Sequence, residues 1–217
     1  DGNGGAVYAS DSYSSFTNCG FADNHVDQGG ALYLGGGDVS LNHCTLLENT
    51  ADDDSGIKNA SGDLTVINSI YWGNDEISGD VDVSYSNVMG GYDGTMNFNG
   101  RPGFTDAENG DLTLLSWSPM IGRGSTANIV SSDIAGTARA DSVAPDMGAY
   151  ENENGAGPYN GPVWYVDASS ELPYANGSES AKFSKIQRGI DAASSGDTVL
   201  VAAATYVENI DFNGAKE

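Results

Sequence analysis

Three segments of this 217-residue chain align without gaps at a spacing of 25 residues. They are Phe16-Thr17-Asn18-Cys19-Gly20-Phe21-Ala22-Asp23-Asn24, Leu41-Asn42-His43-Cys44-Thr45-Leu46-Leu47-Glu48-Asn49 and Val66-Ile67-Asn68-Ser69-Ile70-Tyr71-Trp72-Gly73-Asn74. Upstream of them lie Gly4-Gly5-Ala6-Val7-Tyr8, Gly29-Gly30-Ala31-Leu32-Tyr33 and a degraded Ser55-Gly56-Ile57-Lys58. A fourth, shorter turn, Val83-Ser84-Tyr85-Ser86-Asn87-Val88, is read about 19 residues after the third. Self-similarity at such a period means that each repeat is one unit that buries its apolar face only by stacking on its neighbours.

What fills the period decides the kind of stack. The repeats hold short alternating stretches such as Ala31-Leu32-Tyr33-Leu34 and Val39-Ser40-Leu41, broken by Gly, Asn and Asp. None carries a 3.6-residue helical pattern, and the leucine and asparagine frame of a leucine-rich repeat is absent. The expected fold is therefore all-β, a right-handed parallel β-helix (solenoid) with one short capping α-helix near the C-terminus. Strand stacking at ~4.8 Å would then place Phe16, Leu41 and Val66 in one core column and Phe21, Leu46 and Tyr71 in another. Asn24, Asn49 and Asn74 would form an amide ladder in a turn. Cys19 and Cys44 would stack within disulfide reach, but their side chains point the same way, so buried free thiols are expected. His43 occupies the position of Asn18 and Asn68 and reads as a polar turn residue; His25 stands alone.

Charge narrows the function. Eight Lys and Arg stand against 31 Asp and Glu, a net charge of −23. Nucleic acid, which is bound through clustered Lys and Arg, is disfavoured, as is an anionic membrane surface. No run of 18 apolar residues spans a bilayer, so no direct membrane insertion is expected. Hydrophobic content of 39% is too high for a disordered acidic tail.

Beyond the repeats the pattern loosens through Asn97 to Phe104, Gly110-Asp111-Leu112-Thr113-Leu114 and Ser118-Pro119-Met120-Ile121-Gly122, and ends on Asp146-Met147-Gly148-Ala149-Tyr150-Glu151. Over residues 4–151 the Gly-Gly-Ala coils and this ending resemble bacterial surface β-helices with a choice-of-anchor Q region. That region closes on an Asp-Ile-Gly-Ala-Tyr-Glu-like motif, with Met147 here in its second place. The Gly-Gly-Ala and Asn-Cys-x-Phe pieces are also similar to repeats of polymorphic outer-membrane proteins. Both resemblances imply an extracellular or cell-surface protein with bacterial-type secretion, and neither names a reaction. Residues 152–162 then read as a linker. In 163–217, a strand at Val163 to Val166, a capping box at Ser184-Lys185-Ile186-Gln187 and a helix burying Phe183, Ile186, Ile190 and Ala193 resemble the N-terminal cap and first coil of a pectin-lyase-like β-helix. Ala204 stands where a Gly is usual.

A body followed by a start suggests two readings: a piece of a longer surface protein, or a subunit whose residues 163–217 complete the next copy head to tail in a fibre. Both stay open. Catalysis has less to stand on. A uronate lyase needs a base beside a carboxylate cluster, yet Lys58 is the only Lys or Arg within the coils. Carboxylates are plentiful, with Asp80 and Asp82 two apart, but a hydrolase needs two opposed ones and no pair stands out. Asp52, Asp53 and Asp54 are the candidate calcium ligands. Tyr8, Tyr33 and Trp72 are candidates for stacking on a carbohydrate. The expectation is thus a structural or adhesive protein rather than an enzyme, a head-to-tail homo-oligomer with a carbohydrate or cell-surface ligand. A carbohydrate-active enzyme, whether polysaccharide lyase or glycoside hydrolase, and a calcium-stabilised surface spacer are the alternatives.

Overall fold

The computed structural model describes residues 2–53, 55–116, 118–139, 144–152, 159, 161–171, 175–193 and 195–212. Its described residues are mostly sheet with one short helix. The first repeat supplies β1 (Val7–Ala9), β2 (Ser12–Thr17), β3 (Gly20–Ala22) and β4 (His25–Val26). The second supplies β5 (Leu32–Asn42), β6 (Thr45–Leu47) and β7 (Thr50–Ala51). The third supplies β8 (Ser55–Ile67) and β9 (Ile70–Trp72), and the fourth β10 (Glu76–Ser78), β11 (Val81–Ser84) and β12 (Asn87–Val88).

Every pairing among these strands is parallel, and each joins a repeat to the next. Phe16 pairs with Leu41 and Leu41 with Val66, while Phe21 pairs with Leu46 and Leu46 with Tyr71. Inward residues of the same offset therefore sit on one another and merge into a single core of Leu32, Leu34, Leu41, Leu46, Ile57, Val66 and Val83, each nearly or fully enclosed. Alternation does the sorting, because successive side chains of a strand leave on opposite faces.

The fourth turn is shorter than the sequence reading had it. Val83 pairs with Val66 and Asn87 with Ile70, and Ser86 bonds Ser69 at a separation of 17 residues rather than 19. The shortening has two local causes. Asn49 to Ser55 encloses the aspartate loop, whereas the paired Asn74 and Glu76 are joined by Asp75 alone. Lys58 to Leu64 likewise encloses a Gly62 turn that only Gly79 and Asp80 replace between Ser78 and Val81.

Turns repeat as faithfully as strands. Asn18, His43, Asn68 and Tyr85 all sit at left-handed φ near +50° (53°, 52°, 54° and 46°), and Asp23, Glu48 and Gly73 make a second such column at 56°, 54° and 67°. Asn, Asp and Gly are the residues that enter this region at least cost.

After the coils, β13 (Phe104–Asp106) and β14 (Asp111–Leu114) form an antiparallel hairpin. Residues 118–139 and 144–151 return across the repeats and bury Met120, Ile121 and Met147 against Ile70 and Leu114. Most of the linker read at 152–162, namely 153–158 and Asn160, lies outside the described residues. β15 (Val163–Val166) and β16 (Thr198–Val201) pair in parallel, and α1 (Ile186–Ala192) packs on them. Their core stacks Trp164 on Phe183 at 6.3 Å. Arg101 reaches Asp191 of α1 at 3.3 Å, and Leu115 packs against this second core.

The capping box is not formed. Lys185 is the N-cap and offers no side-chain bond to the helix. Instead Glu208 accepts the amides of Ile186 and Gln187 on its two oxygens, at 2.8 and 3.0 Å. A carboxylate at a helix N-terminus answers both the open N–H groups and the helix dipole, so a residue distant in sequence displaces the local Ser184. The expected apolar face holds: Phe183, Ile190 and Ala193 are buried and Ile186 packs beside them.

Candidate functional site: polar columns and a buried charged junction

The coils carry two polar columns. In the first, Nδ2 of Asn49 donates to Oδ1 of Asn74 at 2.7 Å and to the carbonyls of Phe21 and Leu47. Oδ1 of Asn49 accepts from Nδ2 of Asn24 at 2.7 Å and from its backbone amide. Asn74 closes on the carbonyls of Leu46 and Trp72. Each amide thus satisfies its own turn and the neighbouring one.

The second column holds Cys19, Cys44, Ser69 and Ser86. Both thiols are free. Cys44 is enclosed, and burial pushes its thiol up to about 12, whereas Cys19 is only half-buried because the first repeat has a neighbour on one side only. The Ser69 hydroxyl accepts the amide of Cys44, and the Ser86 hydroxyl accepts that of Ser69. The serines escaped the sequence reading, although Ser69 already lay opposite the cysteines in the aligned repeats.

The proposed calcium residues do not converge. Asp52 lies 3.4 Å from the His25 ring on an exposed edge. Asp53 takes the amide and hydroxyl of Ser55 on one oxygen and lies 3.3 Å from Lys58 with the other. Burial works to raise the Asp53 pKa, and its bonds to Ser55 and Lys58 outweigh that and lower it. Asp54 lies outside the described residues. Among the described residues no group of three or more His, Cys, Asp or Glu is placed to hold a metal ion.

The aromatic trio is also split. Tyr8 and Tyr33 stack at 5.5 Å and 16° on the outside of β1 and β5, in line with Lys58 of β8. Trp72 belongs to another sheet, where it packs against the Ile70, Leu114 and Met120 cluster. Its inclusion in one stacking face is corrected by this geometry: β9 turns away from β8 at the Asn68 corner.

The densest chemistry lies where residues 122–139 and 144–152 meet the corner column, a feature the sequence reading did not single out. Nδ2 of Asn18, Asn42 and Asn68 donates to the carbonyls of Ser132, Asn128 and Ser125. Asn68 also accepts the amides of Ser125, on Oδ1, and of Gly148, on its carbonyl. Thr45 accepts the amide of Ala149. Gly148 is required at its place: φ is +94°, and a Cβ would lie 2.7 Å from Cδ1 of Ile70 and 2.8 Å from Oγ1 of Thr45.

Arg139, its side chain wholly enclosed, ties this segment together. It donates to Glu151 and to the carbonyls of Asp146 and Gly148. Each carboxylate nearby also accepts backbone amides: Asp146 from Gly122 and Asn152, Glu151 from Asp146, and Asp133 from Ala135, Thr137 and Glu151. The Asp-Met-Gly-Ala-Tyr-Glu stretch is therefore a knot in which both acids bind main chain. Burial, with Glu151 close by, pushes the Asp146 carboxyl up to about 7. Burial, with Arg139 close by, holds the His43 ring down at about 3.

Comparison with protein-family models, curated proteins and solved structures finds no match for this chain. Among the described residues no helix is long and apolar enough to cross a membrane.

Proposed function

We propose that this chain is an extracellular structural or adhesive protein, its repeats winding as a right-handed parallel β-helix and its copies associating head to tail. The observation that carries the reading is the register. Four successive repeats pair in parallel at equivalent positions, through one shared core and two continuous polar columns. Such a stack passes load and order along one axis, which suits a rod or spacer.

The disposition of polar groups supports the same reading over catalysis. Asp53, Asp133, Asp146 and Glu151 are engaged by backbone amides, and Asn49, Asn68 and Asn74 by neighbouring turns. The reading needs no calcium, since Asp53 is already met by Ser55 and Lys58. Large exposed apolar side chains support association: Tyr8 and Tyr13 on the first repeat, and Leu200, Val207, Ile210 and Phe212 beyond α1. Patches of this kind mark contact surfaces.

Electron microscopy of the purified chain, imaged with calcium and again with chelator, tests the proposal. Uniform filaments in both conditions are the expected result. Monodisperse single particles in both would refute head-to-tail association, and turnover of an acidic polysaccharide would refute the non-catalytic reading.

A further inference from the structure

Two strands of the chain pair on one side only. Among the described residues β1 pairs with β5 alone, and β16 pairs with β15 alone. The two open edges are of opposite kind. In parallel sheets that step forward along the sequence, β1 is the earlier strand of its pair and β16 the later of its own.

Successive backbone groups of a strand leave on alternate sides, which identifies those that face out. The Val7 amide donates to the Ala31 carbonyl, so Val7 faces β5 and Tyr8 turns its amide and carbonyl to the open edge. Thr198 and Ala202 donate to Pro162 and Val166 on the β15 side, so the outward groups of β16 are those of Val199 and Val201. A row of unmet main-chain groups is a template for another strand.

The side chains alternate in the same phase. Val7 and Ala9 lie on the core face of β1, with Tyr8 outside. Val199 and Val201 lie opposite the buried Trp164 and Val166, and Leu200 stands outside, 53% exposed. The parallel register that satisfies both alternations along the whole of β1 sets Val199 on Val7, Leu200 on Tyr8 and Val201 on Ala9. In that register the Tyr8 amide donates to the Val199 carbonyl and the Val201 amide to the Tyr8 carbonyl. A slip of one residue would turn Leu200 to the core face.

Both regions also present apolar surface. Phe16 and Phe21, edge to face at 5.9 Å, are half-buried, whereas Leu41 and Leu46, which have a neighbour on each side at the same offsets, are enclosed. Val201 is exposed on β16, and Val207 and Phe212 are exposed after it.

We propose that the open edge of β16 adds in parallel to the open edge of β1 in a second copy of this chain, Leu200 against Tyr8. This rests on the head-to-tail reading and names the surfaces that carry it. Two identical edges related by a two-fold axis run antiparallel, so β16 does not meet another β16 in this way. The contact is heterologous and leaves a free β1 and a free β16 for further copies. Acids flank both strands, Asp11 after β1 and Asp197 before β16, so association needs salt to screen them.

Two proline variants block one edge each. Val201→Pro removes the outward amide of β16 and Tyr8→Pro that of β1, and neither amide bonds within the chain among the described residues. In about 0.15 M salt, sedimentation should find filaments of the wild type and monomers of each variant alone. Mixed in equal amounts, the variants should form a dimer and nothing longer, because V201P keeps a working β1 and Y8P a working β16. Filaments of V201P would overturn the edge pairing and leave head-to-tail association to another surface. A dimer of Y8P alone would show β16 pairing with itself and overturn the proposal, and a monomeric wild type would overturn the head-to-tail reading with it. Should a variant fail to fold, hydrogen exchange of the wild type decides. The Tyr8 and Val201 amides should exchange roughly 10-fold more slowly, or slower still, in filaments than in dilute monomer, and unchanged exchange at both would overturn the pairing.

Discussion

Replacing Asn49 by alanine isolates what the amide ladder contributes. The side chain is fully buried and takes part in five bonds. Alanine fills the turn sterically but strands the amides of Asn24 and takes a donor from the Phe21 carbonyl, from Oδ1 of Asn74, which keeps the Asn49 backbone amide, and from the Leu47 carbonyl, which keeps the amide of Asp23. A buried polar group left unpaired costs about 1–3 kcal/mol, and relaxation recovers part of it. Asn24 retains its bond to Ala22, and Asn74 retains those to Leu46 and Trp72. The balance is about 3–5 kcal/mol for N49A. Asn24→Ala removes fewer bonds from a half-exposed site on the first repeat, for about 1–2 kcal/mol. Urea unfolding followed by circular dichroism measures both. With a slope of about 2–3 kcal/mol/M, N49A lowers the midpoint by about 1–2 M without changing the slope. A loss under 1 kcal/mol, or one no greater than that of N24A, would refute the view that the ladder stabilises cooperatively from its centre.

Three further outcomes are expected. Gly148→Ala forces a Cβ into Ile70 and Thr45 at positive φ, at about 1–3 kcal/mol; hydrogen exchange across 144–152 should accelerate while the β5–β8 core stays protected. Glu208→Ala leaves the amides of Ile186 and Gln187 open and lowers stability by about 1–2 kcal/mol, whereas Ser184→Ala, the residue of the unformed capping box, changes it by under 0.5 kcal/mol. Iodoacetamide should label Cys19 in the native chain and reach Cys44 only on unfolding, because Cys44 is enclosed with its thiol pushed up to about 12; equal labelling of both, read by mass spectrometry, would count against the packing.

The parallel repeats were legible because their information is local and repeated. Strand alternation places Leu41 inward, and identical spacing places it on Phe16 and Val66. The fourth turn was misread by two residues because its shortening falls in turns, where no apolar residue marks the register. Glu208 was missed as a helix cap for a different reason: nothing in the sequence near Ser184 announces a carboxylate arriving from 22 residues on. The charged junction was illegible for the same cause. Arg139 meets Asn18 at a separation of 121 residues and Ala149 meets Thr45 at 104, and the sequence holds no period that links them. What it did hold was the Asp146 to Glu151 stretch, whose two acids and glycine each have a physical need: main-chain acceptors at Asp146 and Glu151, and room at Gly148.

The amide ladder and the corner column solve opposite problems. The Asn24, Asn49 and Asn74 amides bond one another and their own turns, so that column is complete within the repeats. At the corner, left-handed φ turns Asn18, His43 and Asn68 outward, and their partners come from a segment that does not repeat. A repeating surface offers the same donor at each level, so an irregular chain crossing it can be fixed at several heights with one kind of contact. Histidine breaks that uniformity at one level. It accepts from Asn68 where its amide neighbours donate to a carbonyl, and it brings a titratable ring under Arg139. A solvated turn would be indifferent to Asn or His. In this column the difference replaces a donor to the crossing chain by a ring nitrogen that takes the amide of the neighbouring turn.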